Sequence, residues 1–345
     1  MEQTPKFTQS NWMTFTGRRP DLEVIEVNPP IGYIGDRLYP KTPWRFSSGT
    51  LSGMTLPAVV PAQTDRTDGE APTATLITNA EVEFTCGEMI SRYGKTAKQT
   101  MDTGDIARVD MQGGAAAKRA MMYDLEKLRL TKLITPVTGN YNLITAAGED
   151  ILNLLDQALD SIRLYNGVRV LVMNARMLQK LGRCLSLTQF YGAAPVERSN
   201  SLLNLKNRIV SAFQSVFLLD EILIADDSIK NDAGSAPVVT NDTIVAAVIP
   251  HENEVTEDSY TLNPELGRTV TYQPYDDIRP YMIESFPDPK LRTNFYDGVT
   301  RSAVVEFNPY AKRIINAANA TFNASTFVSI SGGTIVSIDG GTVSA

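Results

Sequence analysis

The residues that most resemble reactive groups are one histidine, its acidic neighbours and two cysteines. His251 lies beside Glu252 and Glu254 in the segment IPHENEV. A zinc site needs three or four ligands at defined spacing, and this segment supplies no second His or Cys. Cys86 and Cys184 lie far apart and form no CxxC pair, which favours buried free thiols and a reducing compartment. The pattern therefore predicts a surface loop and not a metal site.

Paired carboxylates are the second candidate for chemistry. The acidic dipeptides at 226–227 and 276–277 are neighbours in sequence, and neighbouring side chains of an extended chain point to opposite faces. Neither pair is therefore expected to act as a general acid and base. Asp65, Asp68 and Glu70 lack the spacing of a calcium loop, so they predict a solvated turn.

Short motifs of enzymes and nucleotide-binding proteins are missing from the chain. The sequence contains no GxxxxGK[ST], GxSxG or HExxH, and no GxGxxG that follows a strand. The residues therefore predict no catalytic group, no cofactor and no metal, and the chain is not expected to be an enzyme.

Composition is that of an ordinary globular protein with a mild acidic excess. The 345 residues are 43% hydrophobic and 21% charged, with a formal net charge of -7. No apolar run reaches the roughly 20 residues needed to span a bilayer, and the first fifteen residues are not expected to be a secretory signal. No basic run occurs, so the chain is not expected to hold nucleic acid tightly by charge alone.

One long helix is predicted from Asp105 to Pro136, with its uninterrupted part beginning near Ala115 because Gly113 and Gly114 precede it. Pro136 ends it because proline has no amide hydrogen. Spacings of three and four place five apolar residues on one face: Ala117, Met121, Met122, Leu125 and Leu128. The other side is expected to hold most of the charged residues, among them Lys118, Asp124, Lys127 and Arg129. The helix reads as a spine on which sheets are arranged.

Two segments before this helix have too few apolar residues for a core of their own. Residues 1–45 form a proline-punctuated arm whose aromatic side chains could anchor it on its own domain or on a neighbour. Residues 46–94 alternate as a long two-stranded hairpin with a polar tip, and Glu81–Thr85 is its clearest strand. Such a hairpin is marginal alone and needs another surface, from the same chain or from a neighbouring subunit.

The rest of the chain predicts a layered α/β block and a return of strands. Within residues 141–264, strands are predicted at 168–173, 216–225 and 243–249, and helices at 149–162, 175–181 and 202–213, with Asn174 as an N-cap. Strands 268–272 and 302–307 follow, with Pro280, Pro287 and Pro289 as interruptions between them. The tail repeats an octad, VSISGGTI then VSIDGGTV, which predicts short strands joined by Gly-Gly turns.

The order of these parts resembles the major capsid proteins of tailed phages with the Hong Kong 97 fold. The resemblance lies in GYIGDRLYP within the arm, DLEKLRLTKLITP at the end of the long helix, and VRVLVMNARMLQKL and VFLLDEILIADD in the α/β block. It covers roughly residues 25–315, and the order and spacing of the motifs matter more than any single one. The tail after residue 319 lies outside it.

The resemblance implies an α+β fold with an arm, an extended hairpin loop, a peripheral domain with a long spine helix and an α/β axial domain. It divides the chain into an arm (1–45), an extended loop (46–97), a peripheral domain (98–140), an axial domain (141–264), peripheral return strands (265–318) and a tail (319–345). It also assigns contacts between subunits to Trp12, Phe15, Tyr33, Tyr39, Trp44, Arg66 and Asp68.

The implied function is self-assembly into an icosahedral shell around the double-stranded DNA of a phage. The implied partners are copies of the chain in pentamers and hexamers, scaffolding, portal and decoration proteins, and weakly held packaged DNA. The implied location is the virion capsid, after assembly in the host cytoplasm. Some members of the family cross-link their shells through a lysine in the extended loop, but residues 42–94 contain no lysine. An encapsulin nanocompartment and a soluble α/β enzyme remain alternatives.

Overall fold

A computed structural model of the chain describes most of the sequence outside the N-terminus and several loops. The described residues are 17–30, 32–54, 79–96, 98–99, 106–137, 143–145, 148–163, 165, 167–182, 211, 219–251, 255, 265–274, 280–322, 327–331, 334–339 and 342–343. The fold is mixed α+β, and it divides into two compact units. The first comprises Met1–Ser52, Glu81–Arg129 and Gly267–Glu306, and the second Gly53–Ala80, Leu130–Leu266 and Phe307–Ala345.

The helices and strands follow one another in a mixed order. The helices are α1 (Pro20–Glu23), α2 (Gly35–Leu38), α3 (Ile106–Ile134), α4 (Ile151–Ser161) and α5 (Ala175–Gly182), and a 3₁₀ turn spans Pro309–Ala311. The strands are β1 (Gly17–Arg18), β2 (Lys41–Trp44), β3 (Ser48–Met54), β4 (Asn79–Thr85), β5 (Gly87–Thr96), β6 (Leu143–Thr145), β7 (Val168–Asn174), β8 (Glu221–Ala225), β9 (Thr243–Ile249), β10 (Gly267–Tyr272), β11 (Tyr281–Asp288), β12 (Thr293–Glu306), β13 (Lys312–Asn316), β14 (Phe327–Ser331), β15 (Thr334–Asp339) and β16 (Thr342–Val343).

The first unit contains a six-stranded sheet centred on β12. Strands lie in the order β1-β11-β12-β10-β2, and β5 also pairs with β12. All ten residues of β5 pair antiparallel with Thr293–Ser302, so the C-terminal part of the predicted hairpin belongs to this sheet. The first part is paired as β3 with β4, and the tip at 55–78 lies outside the described residues.

Strand β2 shows that the end of the predicted arm docks on its own unit. Lys41–Trp44 pairs parallel with Thr269–Tyr272 at the edge of the six-stranded sheet. The described part of the arm therefore belongs to the first unit. Residues 1–16, which complete the predicted arm, lie outside the described residues.

The second unit contains a five-stranded sheet in the order β6-β13-β9-β7-β8. Helix α4 packs on β9 and β13 with its periodic apolar face buried, which includes Ile151, Leu155 and Leu159. The predicted cap at the start of α5 is confirmed, because the Asn174 side chain accepts a hydrogen bond from the Met177 N–H at 2.8 Å. Strand β13 was assigned to the return strands of the peripheral domain, but it pairs with β9 and β6 in this sheet.

Several predicted strands are confirmed, and others, among them β6 and β11, were not predicted. Strands at 168–174, 221–225, 243–249 and 267–272 agree with the sequence pattern to within a few residues where they are described. Strand β11 was not predicted, because Pro287 read as an interruption; instead Pro287 lies in the strand opposite Asn294. The predicted tail repeat forms a three-stranded antiparallel sheet, β14-β15-β16.

The long helix α3 begins about nine residues earlier than the glycines suggest. It runs from Ile106 to Ile134, so Gly113 and Gly114 lie inside it. Side chains of other elements cover both glycines closely. A Cβ built on Gly113 would lie 2.4 Å from the ring of Tyr296, and one on Gly114 would lie 3.0 Å from Leu22 Cβ. No helix in the described parts of the chain is long and apolar enough to cross a bilayer.

The buried face of α3 also differs from the predicted apolar stripe. Ala117 and Met121 are buried as expected, but Leu128 is 36% exposed and Leu125 is only half-buried. Glu126, Arg129 and Leu130 take their place in the interior of the protein. At the other end of the helix Lys312 is fully buried and donates to the carbonyls of Lys132 (3.0 Å) and Thr135 (3.2 Å), which places a cation on the negative end of the helix dipole.

Replacing Gly113 with alanine tests this close packing. Alanine normally stabilises a helix by about 1 kcal/mol relative to glycine. Here the added methyl group would overlap the Tyr296 ring, so we expect Gly113→Ala to lower the free energy of unfolding by about 1–3 kcal/mol. Denaturant unfolding of the unassembled protein measures it. The control Ala116→Gly, at a half-buried helix position, should cost only about 1 kcal/mol. A stabilised Gly113→Ala variant would contradict the packing.

Candidate assembly surfaces and the N-terminal strap

The two motifs GYIGDRLYP and DLEKLRLTKLITP meet at Glu126. Its carboxylate accepts hydrogen bonds from the backbone N–H groups of Ile34 (2.8 Å) and Gly35 (2.9 and 3.0 Å). These two N–H groups stand at the start of α2, where a helix leaves donors without partners in its own backbone. A side chain from a distant helix thus supplies the acceptor that a local capping residue would otherwise provide.

Gly35 is required by the closeness of this contact. A Cβ at that position would lie 2.4 Å from Glu126 Oε2 and 2.5 Å from Arg129 Cδ. Any larger residue would displace both charged side chains from the interior. Residue 35 has an ordinary helical backbone conformation. Its glycine is needed because the backbone at this position approaches helix α3 closely.

Arg129 extends the same network toward the six-stranded sheet. Its Nη2 lies 2.6 Å from Asp36 Oδ1, and its Nε donates to the Thr269 hydroxyl at 2.8 Å. The Thr269 hydroxyl in turn donates to the Tyr39 carbonyl at 2.9 Å. Helix α3, the segment around α2 and strand β10 are therefore joined by consecutive hydrogen bonds.

Burial controls the titration of these groups. Burial raises the pKa of the Glu126 carboxyl, against the opposing effects of Arg129 and the two N–H donors. Burial likewise lowers the pKa of the Arg129 guanidinium, against the attraction of Asp36 and Glu126. Burial also acts to raise the pKa of Asp36, but the charges of Arg129 and Lys41 outweigh it and hold that pKa below its usual value.

A second buried network lies near the start of α3. Asp110 accepts from Arg19 Nη1 at 3.0 Å and from the Tyr296 hydroxyl at 2.5 Å. Burial, followed by the bond to Asp110, raises the pKa of the Tyr296 hydroxyl. Between the two networks Lys118 donates to the Ile25 carbonyl at 2.7 Å and lies over the Tyr281 ring at 4.7 Å from its centroid.

These contacts fasten residues 18–30 and 32–36, which we call the N-terminal strap, along α3. Arg19 meets Asp110, Ile25 meets Lys118, the Ile34 and Gly35 backbone meets Glu126, and Asp36 meets Arg129. Both sets of residue numbers rise together, so the strap runs in the same direction as the helix over about 28 Å. The buried charged residues of the helix, Asp110, Lys118, Glu126 and Arg129, follow one another at intervals of eight, eight and three. This spacing is the pattern in the sequence that could have indicated the strap.

The predicted contact residues have different surroundings. Tyr39 is fully buried and its hydroxyl donates to Glu306 at 2.6 Å, so it is a core residue of the first unit and offers no surface to a neighbour. Tyr33 is half-buried, and Trp44 packs edge-on against Phe84 with ring centroids 5.7 Å apart. Trp12, Phe15, Arg66 and Asp68 lie outside the described residues.

Exposed apolar side chains mark further surfaces that a neighbour could cover. In the first unit they include Val24 (60%), Phe46 (69%), Ile90 (54%), Met111 (52%) and Leu291 (63%). In the second unit Leu143 and Tyr310 are about half exposed. Among the described strands, β1, β2 and β5 lie at the edges of the first sheet and β6 and β8 at the edges of the second.

The polar groups considered for chemistry have different surroundings. Asp226 accepts the Ser228 N–H at 2.8 Å within a turn, and Cys86 is a buried free thiol as predicted, whose pKa burial raises. His251 is exposed, while Glu252, Glu254 and Cys184 lie outside the described residues. Within the described ranges no group of three or more His, Cys, Asp or Glu residues could hold a metal ion. The described contacts anchor backbone groups and the long helix.

Comparison with known proteins supports the fold predicted by the resemblance. No family model and no curated protein sequence matches the chain. Among solved structures, a phage-related protein from Bordetella bronchiseptica aligns with a TM-score of 0.60 over 89% of this chain and 99% of its own, at 12% identity. The chain therefore shares the fold of that phage-related protein, and at this identity the likeness establishes the fold alone.

Two further solved structures align with the chain at lower scores. The capsid of cyanophage P-SCSP1u aligns with a TM-score of 0.49 at 12% identity, covering 86% of this chain and 91% of its own. An encapsulin complex from Synechococcus elongatus PCC 7942 aligns with a TM-score of 0.48 at 11% identity, covering 88% and 95%.

Replacing Glu126 with glutamine tests the anchoring of the strap. The amide keeps the shape but directs an NH₂ group at one of the two backbone donors, so we expect a loss of about 1–3 kcal/mol in unfolding free energy. The control Glu88→Gln removes an exposed ion pair with Arg301 and should cost less than about 1 kcal/mol. Equal effects of the two substitutions in denaturant unfolding would show that the Glu126 contact is not important for stability.

Proposed function

We propose that the chain is the structural subunit of an icosahedral shell that encloses the double-stranded DNA of a tailed phage. The observation that carries this proposal is the fold shared with a phage-related protein over 89% of the chain. The sequence motifs that resemble phage capsid proteins support it, because two of them meet at Glu126 and join the strap to the long helix.

The described surfaces suit repeated contact with copies of the same chain. Several large apolar side chains of the first unit are more than half exposed, and among the described strands several lie at sheet edges. Copies arranged by point-group symmetry can cover such surfaces through heterologous contacts. Pentamers and hexamers would then close the shell, with scaffolding, portal and decoration proteins as further partners.

A role without catalysis agrees with how the buried charges are used. Asp110, Lys118, Glu126 and Arg129 bind other side chains or backbone groups and face the strap. We infer that the subunit carries mechanical load and performs no reaction. The shell would be located in the virion and assembled in the host cytoplasm.

The shell proposal predicts that purified full-length protein forms closed particles in negative-stain images. Aromatic side chains bury large areas at interfaces, so Trp12→Ala combined with Phe15→Ala should reduce the yield of particles. Gln3→Ala combined with Gln9→Ala is the matched control and should leave the particles intact. The aromatic variant should unfold at the same denaturant concentration as the wild-type subunit.

Three outcomes would contradict the proposed contact or the proposed function. If the aromatic variant formed normal particles, the proposed contact of Trp12 and Phe15 with a neighbouring subunit would be wrong. A wild-type protein that stays monomeric in gel filtration at every concentration would overturn the shell proposal and favour the soluble enzyme. Particles isolated from their natural source that contain a protein cargo and no DNA would identify an encapsulin-type compartment instead.

We also expect the shell to be held together without covalent cross-links. Residues 42–94 contain no lysine, and Lys95 is buried with its ammonium group bonded to Gln112 at 2.7 Å. Arginine is no substitute because its guanidinium group stays protonated. Particles boiled in denaturant should give one gel band near 37.8 kDa, and a ladder of heavier bands would contradict the expectation.

A further inference from the structure

A small apolar pocket of the first unit lies beside β12, between the end of β10 and the start of β11. Thr300 of β12 pairs with Tyr281 of β11, and Ser302 pairs with Thr271 of β10, so the two strands meet β12 one after the other. The pocket between them has a volume of about 200 Å³. Aromatic, aliphatic and proline side chains form most of its wall: Tyr272, Pro274, Pro280, Tyr281, Met282 and Val299.

The two arginines at this pocket are paired with acids of the same chain. Arg18 Nε lies 2.9 Å from a Glu23 carboxylate oxygen, and Arg301 Nη2 lies 2.6 Å from a Glu88 carboxylate oxygen. The Arg301 guanidinium also lies over the Tyr272 ring, 5.9 Å from its centroid. Because each positive charge is balanced within the chain, the pocket favours an uncharged, apolar occupant.

The volume of the pocket is suited to one aromatic side chain. Sites for small molecules usually measure about 300–1,000 Å³, whereas an apolar cavity of about 150 Å³ already admits benzene. At about 200 Å³ this pocket therefore fits a single ring better than a free ligand. A phenyl ring suits it best, because a phenyl ring has no polar atom that would need a partner inside the pocket.

Phe46 supplies an exposed phenyl ring next to the pocket. It is 69% exposed, which is the largest exposed fraction among the exposed large apolar side chains of the described residues. Two residues before it, Trp44 pairs with Tyr272 of the pocket wall, and the Trp44 carbonyl accepts from the Gln273 N–H at 2.7 Å. One patch of the first unit therefore contains both an exposed ring and an apolar pocket.

We propose that Phe46 of one subunit inserts into this pocket on a second copy of the chain, around a two-fold axis. The inference rests on the proposed function, because it names one contact between subunits of the shell. A patch that contains both the ring and its pocket is complementary to itself, so two copies related by a two-fold axis make the same contact twice.

The two inserted rings anchor a wider contact. An aromatic side chain buries about 150–250 Å², so two rings bury about 300–500 Å². A stable interface needs about 1,200–2,000 Å², and the surrounding surface of both copies must supply the difference. Aromatic anchors in fully desolvated pockets nevertheless contribute a large part of the binding energy, so loss of the ring should be felt strongly.

Sedimentation velocity of the full-length protein over a range of concentrations tests the ring. Phe46→Ser should weaken association between subunits at least about tenfold, because it removes the anchor. Leu291→Ser is the matched control, since it removes an apolar side chain of similar exposure (63%) from the turn between β11 and β12. The control should change association less than about twofold, and both variants should unfold at the same denaturant concentration as the wild type.

Filling the pocket tests the other side of the contact. Met282→Trp should weaken association about as much as Phe46→Ser. The combined variant should be little worse than either single variant, because both substitutions remove the same contact. Additive effects of the two substitutions would show that the ring and the pocket do not meet, and would overturn the proposal.

Disulfide trapping reports the geometry of the contact. In assembled protein oxidised with diamide, Phe46→Cys combined with Met282→Cys should give covalent dimers and no longer chains on a non-reducing denaturing gel, because a two-fold contact closes on itself. The single variants Phe46→Cys and Met282→Cys are the controls and should give much less dimer. A ladder of longer chains would indicate a head-to-tail contact, and monomers alone would indicate no contact, so either result would overturn the proposal.

Negative-stain images of the same variants separate this inference from the shell proposal. Normal particles of Phe46→Ser would overturn the ring contact and leave the shell proposal intact. Equal weakening by Phe46→Ser and Leu291→Ser would show that only exposed apolar area matters, and would also overturn the contact. A wild-type protein that does not associate at any concentration would overturn the shell proposal and this contact together.

Discussion

The first unit depends on burying the charged side chains of one long helix against a strap from the N-terminal segment. Removing a carboxylate and a guanidinium from water costs several kcal/mol each unless hydrogen bonds compensate. Glu126 accepts hydrogen bonds from two backbone donors, whereas Arg129 forms an ion pair with Asp36 and donates one hydrogen bond to the Thr269 hydroxyl. Because each partner comes from a different element, the helix, the strap and the sheet must be in place together.

This constraint also gives the helix two faces of opposite character. The strap and β5 draw Asp110, Asp124 and Glu126 away from the solvent side, and the remaining exposed charges are positive.

The strap further explains which part of the N-terminal segment is available to a neighbour. Residues 18–30 and 32–36 are fastened to α3 and Lys41–Trp44 pairs with β10, so the backbone of these residues belongs to the first unit. The surfaces that remain for a neighbour are exposed side chains such as Val24, Phe46 and Ile90 and the edges of the described sheets. A subunit that completes its own fold before assembly can present the same surface to every neighbour.

The sequence alone determined the features that depend on neighbours along the chain. Hydrophobic periodicity predicted the long helix and strands β7, β9 and β10, the Asn174 cap followed from its residue type, and Gly-Gly pairs marked the tail strands. Only the tertiary structure decided the start of α3, the burial of Glu126 and Arg129, and the exposure of Leu128. Those outcomes depend on partners more than 90 residues away, such as Ile34 for Glu126 and Tyr296 for Gly113, and no local pattern contains them.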